Sequence, residues 1–117
     1  MTIAFVGDLS IDINTVRGVT HTAYGGGALA GGMTTHHLGV PTTVYTKCDP
    51  EQRSRFAEIG RSGLPVVFLP GGGCTSIEND YPTDDPDDRT SLFLSRSDPF
   101  NAEDVARMEA DVLHINP

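Results

Sequence analysis

The sequence predicts an α/β fold in which short, buried strands alternate with helices along the chain. Short apolar runs at residues 3–6, 66–69 and 112–115 are separated by segments with helical spacing or helix-capping residues. This alternation is typical of α/β proteins, and the unbroken apolar run 66–69 indicates a sheet covered on both faces. The 117 residues suffice for at most one domain.

The N-terminal segment is predicted to form a buried strand followed by a hairpin. Residues 3–6 are apolar and end at Gly7-Asp8, which is a typical strand end. Residues 11–16 alternate between apolar and polar side chains, as expected of a half-exposed strand. Their hairpin partner is predicted at residues 19–24, across Arg17-Gly18.

A helix over residues 27–38 and a strand over residues 40–45 are predicted next. Leu29 and Met33 lie one helical turn apart, and Gly39 is a suitable residue to follow the last turn. The strand is rich in threonine and β-branched residues, which favour sheet structure.

A second helix is predicted to begin at Asp49-Pro50. Asp49 can cap the helix, proline fits its first position, and Gln52 can complete a capping box. Phe56 and Ile59 supply its buried face.

A polar hairpin is predicted after the third core strand. Residues 74–81 and 90–95 form its arms, and the acidic segment 82–89 joins them. The first arm is too polar for a core strand, so we expect this hairpin to lie as a flap over a site. Gly71–Gly73 is interpreted as a flexible hinge into the flap.

The C-terminal segment predicts a helix over residues 101–110 and a fourth core strand over residues 112–115. Asn101 is a plausible helix cap, and Val105 and Met108 are expected to face inward.

Composition narrows the classes of function. The net charge of −8 argues against a surface that binds nucleic acid. No apolar run approaches the roughly 20 residues that span a bilayer, and no leader pattern precedes residue 3. We therefore expect a cytoplasmic protein without a membrane partner, in which Cys48 and Cys74 are reduced thiols.

The glycine triplet Gly25–Gly26–Gly27 is the strongest indication of a binding site. It precedes the predicted helix and follows Asp12. Glycines leave backbone N–H groups accessible, and a carboxylate accepts hydrogen bonds from two vicinal hydroxyls at once. This combination indicates a site for a hydroxyl-rich small molecule.

The ordered set of these motifs resembles the N-terminal half of the ribokinase/PfkB carbohydrate kinase family. The resemblance rests on segments spread over the whole chain: Gly7-Asp8, Asp12, Gly25-Gly26, Leu38-Gly39, Thr75–Leu94 and Asp111–Ile115. It implies a Rossmann-like, ribokinase-type α/β core, incomplete in this chain, with a small β lid. Lid elements are expected near residues 13–24 and 74–96, and core elements at residues 1–12, 25–70 and 98–117.

The resemblance also implies a function: transfer of the terminal phosphoryl group of ATP, with Mg²⁺, to a hydroxyl of a sugar, sugar phosphate or nucleoside. Substrate-binding residues are expected at these positions: Asp12, Gly25, Gly26, Gly27, Ala30, Lys47 and Asn116. Ala30 stands where the family has a sugar-contacting asparagine. Lys47 could meet an anionic substrate group, and Asn116 follows a core strand at the edge where α/β sheets bind ligands.

The family's catalytic segment has no counterpart here. No Gly-Ala-Gly-Asp sequence and no P-loop pattern occurs, so no catalytic residue and no ATP or magnesium site is expected in this chain. Two alternatives to the substrate-binding part of a kinase remain open. One is a non-catalytic ligand-binding or dimerisation module, paired as a homodimer through its lid strands. The other is a truncated product that is inactive alone.

Overall fold

A computed structural model describes residues 1–116 as eight strands in two sheets, with three α-helices and one 3-10 helix. The strands are β1 (Ile3–Val6), β2 (Ser10–Val16), β3 (Val19–Gly25), β4 (Thr42–Thr46), β5 (Val66–Phe68), β6 (Thr75–Tyr81), β7 (Thr90–Ser95) and β8 (Val112–Ile115). The helices are α1 (Gly27–His37), the 3-10 helix (Pro50–Phe56), α2 (Ala57–Arg61) and α3 (Ala102–Ala106). None of the helices described in residues 1–116 is both long and apolar enough to cross a membrane.

The core sheet confirms the predicted α/β fold. Its strand order is β5-β4-β1-β8, and every neighbouring pair is parallel. Parallel neighbours bring the carboxyl ends of the strands to one edge, which is where such sheets bind ligands. Phe5, Val44 and Leu9 are buried beneath α1, and Ala4, Val6 and Tyr45 pack on the other side of the sheet.

Two glycines of helix α1 face the core sheet and allow the helix to lie close to it. A Cβ on Gly31 would overlap the ring of Phe5, and one on Gly32 would lie 2.5 Å from Cγ2 of Val44. Glycine inside a helix costs about 1 kcal/mol relative to alanine. The close approach of the helix to β1 and β4 explains why that cost is tolerated.

The second sheet forms the lid and has the strand order β3-β2-β6-β7. The predicted hairpin of β2 and β3 is confirmed, and Arg17 and Gly18 have the positive φ angles of 47° and 82° that a tight hairpin turn requires. Strand β2 also pairs in parallel with β6 over its whole length. Because β2 begins at Ser10, residues 10–12 lie on this sheet and not in the core segment to which we assigned them.

Two predicted helices differ from expectation. The segment after Asp49 is a 3-10 helix, and Asp49 does not cap it; its Oδ1 accepts a hydrogen bond from the Gly73 N–H at 2.7 Å instead. Helix α3 has its predicted Asn101 cap, with a complete capping box, but it ends at Ala106. The predicted inward position of Val105 is wrong, since its side chain is 49% exposed.

Both cysteines are free thiols, as predicted, and both are buried. Burial is the main cause that raises the pKa of the Cys74 thiol to about 12, and a hydrogen bond with Cys48 adds to it. The thiol of Cys74 is therefore protonated and unreactive at neutral pH.

Candidate functional site

A cavity of about 220 Å³ lies where the core sheet, the start of α1 and the lid meet. Its lining comes from the loop after β1, from β2, from the start of α1, from β6 and β7, and from the end of β8: Asp8, Ser10, Gly26, Gly27, Thr75, Ile77, Phe93, Arg96 and Asn116. Side chains distant in sequence thus converge at the carboxyl end of the core sheet, beneath the lid. We call this cavity the lid pocket.

Asp12 lies beside this pocket on β2 and is not among the residues that line it. It lies on β2 two residues beyond Ser10, so both side chains project from the same face of the sheet. A Cβ on Gly25 would lie 3.0 Å from Oδ2 of Asp12, so the glycine leaves that side of the carboxylate open. Oδ1 of Asp12 is shielded from solvent and has no hydrogen-bond partner among the described residues.

Asn116 is the second residue with an unsatisfied buried acceptor. Its backbone N–H donates to the Val6 carbonyl at 2.8 Å, which continues the parallel pairing of β8 with β1. Its side chain lies against Gly27, where a Cβ would come within 2.8 Å of Nδ2. Oδ1 of Asn116 is buried and has no partner among residues 1–116. Buried polar atoms are nearly always paired, so an orphaned acceptor in the pocket and a second one on the adjoining strand indicate a ligand that donates hydrogen bonds.

Gly26 makes the sharp entry into α1 that forms one wall of the pocket. Its φ of 109° is accessible to glycine and strained for other residues. A Cβ at this position would overlap the carbonyl oxygen of Asp8. The turn therefore brings the loop after β1 into direct contact with the start of the helix.

Asp8 fixes the lid to the core. Its Oδ2 accepts a hydrogen bond from the Thr75 hydroxyl at 2.7 Å. The hydroxyl of Ser97 lies 3.0 Å from Oγ1 of Thr75, and the Ser97 N–H donates to the same oxygen at 3.2 Å. Because the Thr75 proton is directed at Asp8, Ser97 is the donor in the hydroxyl pair. This network joins β6 and the segment after β7 to the loop after β1.

A polar row crosses the lid next to Asp12. Asn14, Asn79 and Ser91 are opposite one another on β2, β6 and β7. The Asn79 amide donates to Oδ1 of Asn14 at 2.9 Å, and the Ser91 hydroxyl donates to Oδ1 of Asn79 at 2.6 Å. Asn14 and Asn79 follow Asp12 and Ile77 by two residues, so the row extends the pocket face outward.

The structure brings five of the seven predicted site residues to the pocket or beside it and leaves two, Ala30 and Lys47, elsewhere. Gly26, Gly27 and Asn116 line it, Asp12 faces it from β2, and Gly25 lies beside the Asp12 carboxylate. Ala30 is exposed in the first turns of α1 and does not line the pocket. The roles of the seven predicted residues in binding stay predictions.

Lys47 is buried in an ion pair and does not line the pocket. Its side chain is 3% exposed, and its Nζ lies 2.7 Å from Oδ2 of Asp104 and donates to the Pro99 carbonyl at 2.9 Å. The Lys47 ammonium, through its hydrogen bond, is the main cause that holds the pKa of the Asp104 carboxyl below its usual range. Sequence reasoning could not see this pairing, because the partner lies 57 residues away in a short helix.

Ser10, Thr75, Ile77, Phe93 and Arg96 line the pocket and were missed as individual residues. The sequence did predict that this hairpin covers a site. The two-residue period of β6 could have selected Thr75 and Ile77 as its inward side chains. Arg96 follows the end of β7, where no periodicity applies.

No group of three or more His, Cys, Asp or Glu side chains in residues 1–116 is arranged to hold a metal ion.

A parallel core sheet, a glycine-rich start of the first helix and a lid sheet over the strand ends together define a ribokinase-type fold. Solved structures agree. The chain is 45% identical, with a TM-score of 0.87, to a pyrophosphate-dependent kinase in the ribokinase family solved with sulfate. A structure of such a kinase with a pyrophosphate analog and myo-inositol is 42% identical, with a TM-score of 0.83. A pyrophosphate-dependent myo-inositol-1 kinase, converted into a myo-inositol-3 kinase by an Asn-to-Leu and a Ser-to-Leu substitution, is 39% identical, with a TM-score of 0.80.

These alignments cover 98% of this chain and 41%, 39% and 38% of the three kinases, respectively. The chain thus spans about two fifths of their length. The sequence matches no protein-family model and no curated protein. The solved structures confirm that the chain resembles one part of ribokinase-family kinases.

Proposed function

We propose that this chain is the acceptor-binding part of a kinase that phosphorylates a hydroxyl of a small cyclic polyol such as myo-inositol. The observation that carries the proposal is a pair of buried, unpartnered acceptors: Oδ1 of Asn116, which lines the pocket, and Oδ1 of Asp12, which lies beside it on β2 opposite the lining residue Ile77. Vicinal hydroxyls donate to both kinds of oxygen, and hydrogen bonds to a charged group contribute about 1.5–3 kcal/mol each.

The likeness to myo-inositol kinases supports this choice of substrate class. In one of them, an asparagine and a serine govern which hydroxyl is phosphorylated. This chain has an asparagine and a serine, Asn79 and Ser91, hydrogen-bonded to each other in the row beside Asp12. We assign this pair the task of orienting the polyol ring.

The role of the chain in phosphoryl transfer is then to position the acceptor. The transition state of this reaction makes few covalent demands on the protein, so catalysis depends on alignment and charge stabilisation. Asp12 and Asn116 hold the hydroxyls and the lid strands exclude water above them. The family resemblance implies ATP as donor, whereas the similar kinases are described as pyrophosphate-dependent. Pyrophosphate is the donor that this likeness favours.

Calorimetric titration with myo-inositol tests the proposal, and ribose and adenosine complete the panel. We expect myo-inositol to bind and Asp12→Asn to weaken binding at least about tenfold, since a charged acceptor is lost. Asp80→Asn is the matched control, because it removes the same charge from an exposed residue of β6. Absence of binding by every compound, or equal affinity in the Asp12→Asn variant, contradicts the proposal.

A second candidate is a dimerisation module, favoured by the apolar residues of the edge strand β7. Leu92 and Leu94 are 59% and 49% exposed, and β7 pairs with β6 on one side alone among the described strands. Edge strands of this kind pair readily with a second copy. Sedimentation equilibrium of the Leu92→Lys variant tests it: a dimer that dissociates on substitution supports pairing through the lid.

A further inference from the structure

The lid pocket contains one cation, an exposed arginine, that forms no ion pair with a carboxylate among residues 1–116. Arg96 lines the pocket, and the ion pairs formed within residues 1–116 are Arg17 with Asp84 and Lys47 with Asp104. Neither pair includes Arg96. Its guanidinium carbon lies 4.0 Å from the centre of the Phe93 ring, which is a close cation–π contact.

The backbone of Arg96 is fixed from both sides. Gly73 has a φ of 72°, and a Cβ there would overlap the Arg96 carbonyl oxygen. The Asp98 N–H donates to the Gly72 carbonyl at 2.9 Å, and the Gly72 N–H donates to Oδ2 of Asp98 at 2.8 Å. The glycine run that we interpreted as a hinge thus holds the segment after β7 in place.

The exposed side chain of Arg96 contacts the lid through the Phe93 ring. Phe93 is directly opposite Ile77, and Ile77 is directly opposite Asp12. The arginine therefore stacks on the last member of a row whose first member is the Asp12 carboxylate. Two interstrand spacings separate the ends of this row, which amounts to about 10 Å.

Such a separation matches a molecule with hydroxyls at one end and an anionic group at the other. A guanidinium presents several N–H donors in a planar fork that fits the oxygens of a phosphate. Asp8 also borders the pocket, but its Oδ2 is engaged by the Thr75 hydroxyl. The geometry points to an anion subsite at Arg96 that binds a phosphate group while Asp12 binds the hydroxyls of the acceptor.

The identity of the hydroxyl-bearing part of the ligand rests on the proposed function. The binding of a phosphate group at Arg96 does not. The phosphate could belong to the phosphorylated polyol or to a pyrophosphate donor. The two sources share their chemistry at Arg96. They differ in whether the phosphate competes with myo-inositol for the pocket.

Calorimetric titration of the chain with three probes tests the subsite: myo-inositol 1-phosphate, pyrophosphate and inorganic phosphate. Arg96→Gln is expected to weaken phosphate binding by about 10- to 100-fold, and Arg96→Lys by less, because it keeps the charge but loses the fork. Arg89→Gln removes the same charge at the exposed tip of the lid and should leave all three affinities unchanged. Binding of myo-inositol itself should change less than about threefold in Arg96→Gln.

The outcomes of these titrations distinguish the two sources of the phosphate, and they distinguish failure of the subsite from failure of the proposed function. Arg96-dependent binding of myo-inositol 1-phosphate that excludes myo-inositol assigns the subsite to the phosphorylated polyol. Arg96-dependent binding of pyrophosphate together with myo-inositol assigns it to the donor. If myo-inositol fails to bind but inorganic phosphate binds through Arg96, the subsite stands and the proposed function fails. Binding of all phosphates independent of Arg96, or of none, overturns the subsite.

Discussion

The carboxylate of Asp12 is placed for binding a ligand, and its burial lowers the stability of the fold. Its Oδ1 is buried without a partner, and an unsatisfied buried acceptor typically costs about 1–3 kcal/mol. Residues of this kind persist at binding sites, where stability is exchanged for function. The same substitution should therefore have opposite effects on stability and on affinity.

We expect Asp12→Asn to leave the free energy of unfolding unchanged or to raise it by about 1 kcal/mol, because a neutral amide costs less to bury than a carboxylate. Urea unfolding followed by circular dichroism measures this difference. The Asp80→Asn variant should change stability by less than about 0.5 kcal/mol, as exposed substitutions do. A loss of more than 1 kcal/mol in Asp12→Asn would instead give this residue a structural role.

Substitution in the buried pair of Lys47 and Asp104 should instead lower the free energy of unfolding. Asp104→Asn leaves the Lys47 ammonium buried without its counter-charge, and breaking such a pair costs about 3–5 kcal/mol. Equilibrium unfolding in urea measures the loss. The double variant Lys47→Met with Asp104→Leu should recover much of it, because both charges are removed together. No recovery in the double variant would contradict this interpretation.

The same pair predicts sensitivity to acid. The pKa of the Asp104 carboxyl is lowered from 3.8 in the folded protein. Its contribution to stability is therefore fully present above the unfolded pKa and is lost as pH falls through the lower folded value. Urea unfolding between pH 7 and pH 2 should show this loss in the wild type and not in the double variant. Parallel profiles for both proteins would contradict the assignment.

Among the elements, local patterns predicted well what depends on neighbouring residues. The hairpin of β2 and β3, the Asn101 cap and the strand β8 all follow from side-chain alternation or capping chemistry within a few positions. The parallel pairing of β2 with β6 joins residues 65 positions apart, such as Ser10 and Thr75. No local pattern encodes that register.

The residues of the lid pocket also divide into those that local sequence patterns predicted and those that they did not. Asp12 and the glycines at the start of α1 stood out as a motif, whereas Arg96 and Phe93 reach the pocket through the register of β7 on β6. The local sequence also did not predict the 3-10 geometry after Asp49. The carboxylate that would cap an α-helix there is engaged by the distant Gly73 N–H.

Helix α1 provides a test of close packing. Gly32→Ala should destabilise the protein by about 1–3 kcal/mol, because its Cβ would lie 2.5 Å from Cγ2 of Val44. Gly60→Ala in α2 is the matched control: apart from its chain neighbours and its own helix backbone, no atom lies within 4 Å of its Cβ position, so the gain in helix propensity should stabilise by about 0.5–1 kcal/mol. Thermal unfolding measures both, and destabilisation of equal size in the two variants would contradict the packing argument.

At the scale of the whole molecule, the core sheet has an open apolar edge. Strand β8 pairs with β1 on one side, and no other described strand pairs with it. Val112, Leu113 and Ile115 are 43%, 39% and 70% exposed. Open apolar edges promote association.

We expect the chain to associate as its concentration rises, and Ile115→Lys to reduce this association. Sedimentation velocity over a range of concentrations measures it. The Leu92→Lys variant distinguishes this edge from the lid, since it alters β7 and leaves β8 intact. A chain that stays monomeric at all concentrations contradicts the prediction for both edges.

The most direct test of the account follows amide chemical shifts of the labelled chain during a titration with myo-inositol. Binding in the lid pocket predicts the largest shifts at Ser10–Asp12, Gly25–Gly27, Thr75–Ile77 and Asn116. The apolar cavity near Tyr24, Phe56 and Met33 should show none. Shifts confined to that second cavity, or no shifts at millimolar polyol, would contradict the assignment of Asp12 and Asn116 as the acceptor site.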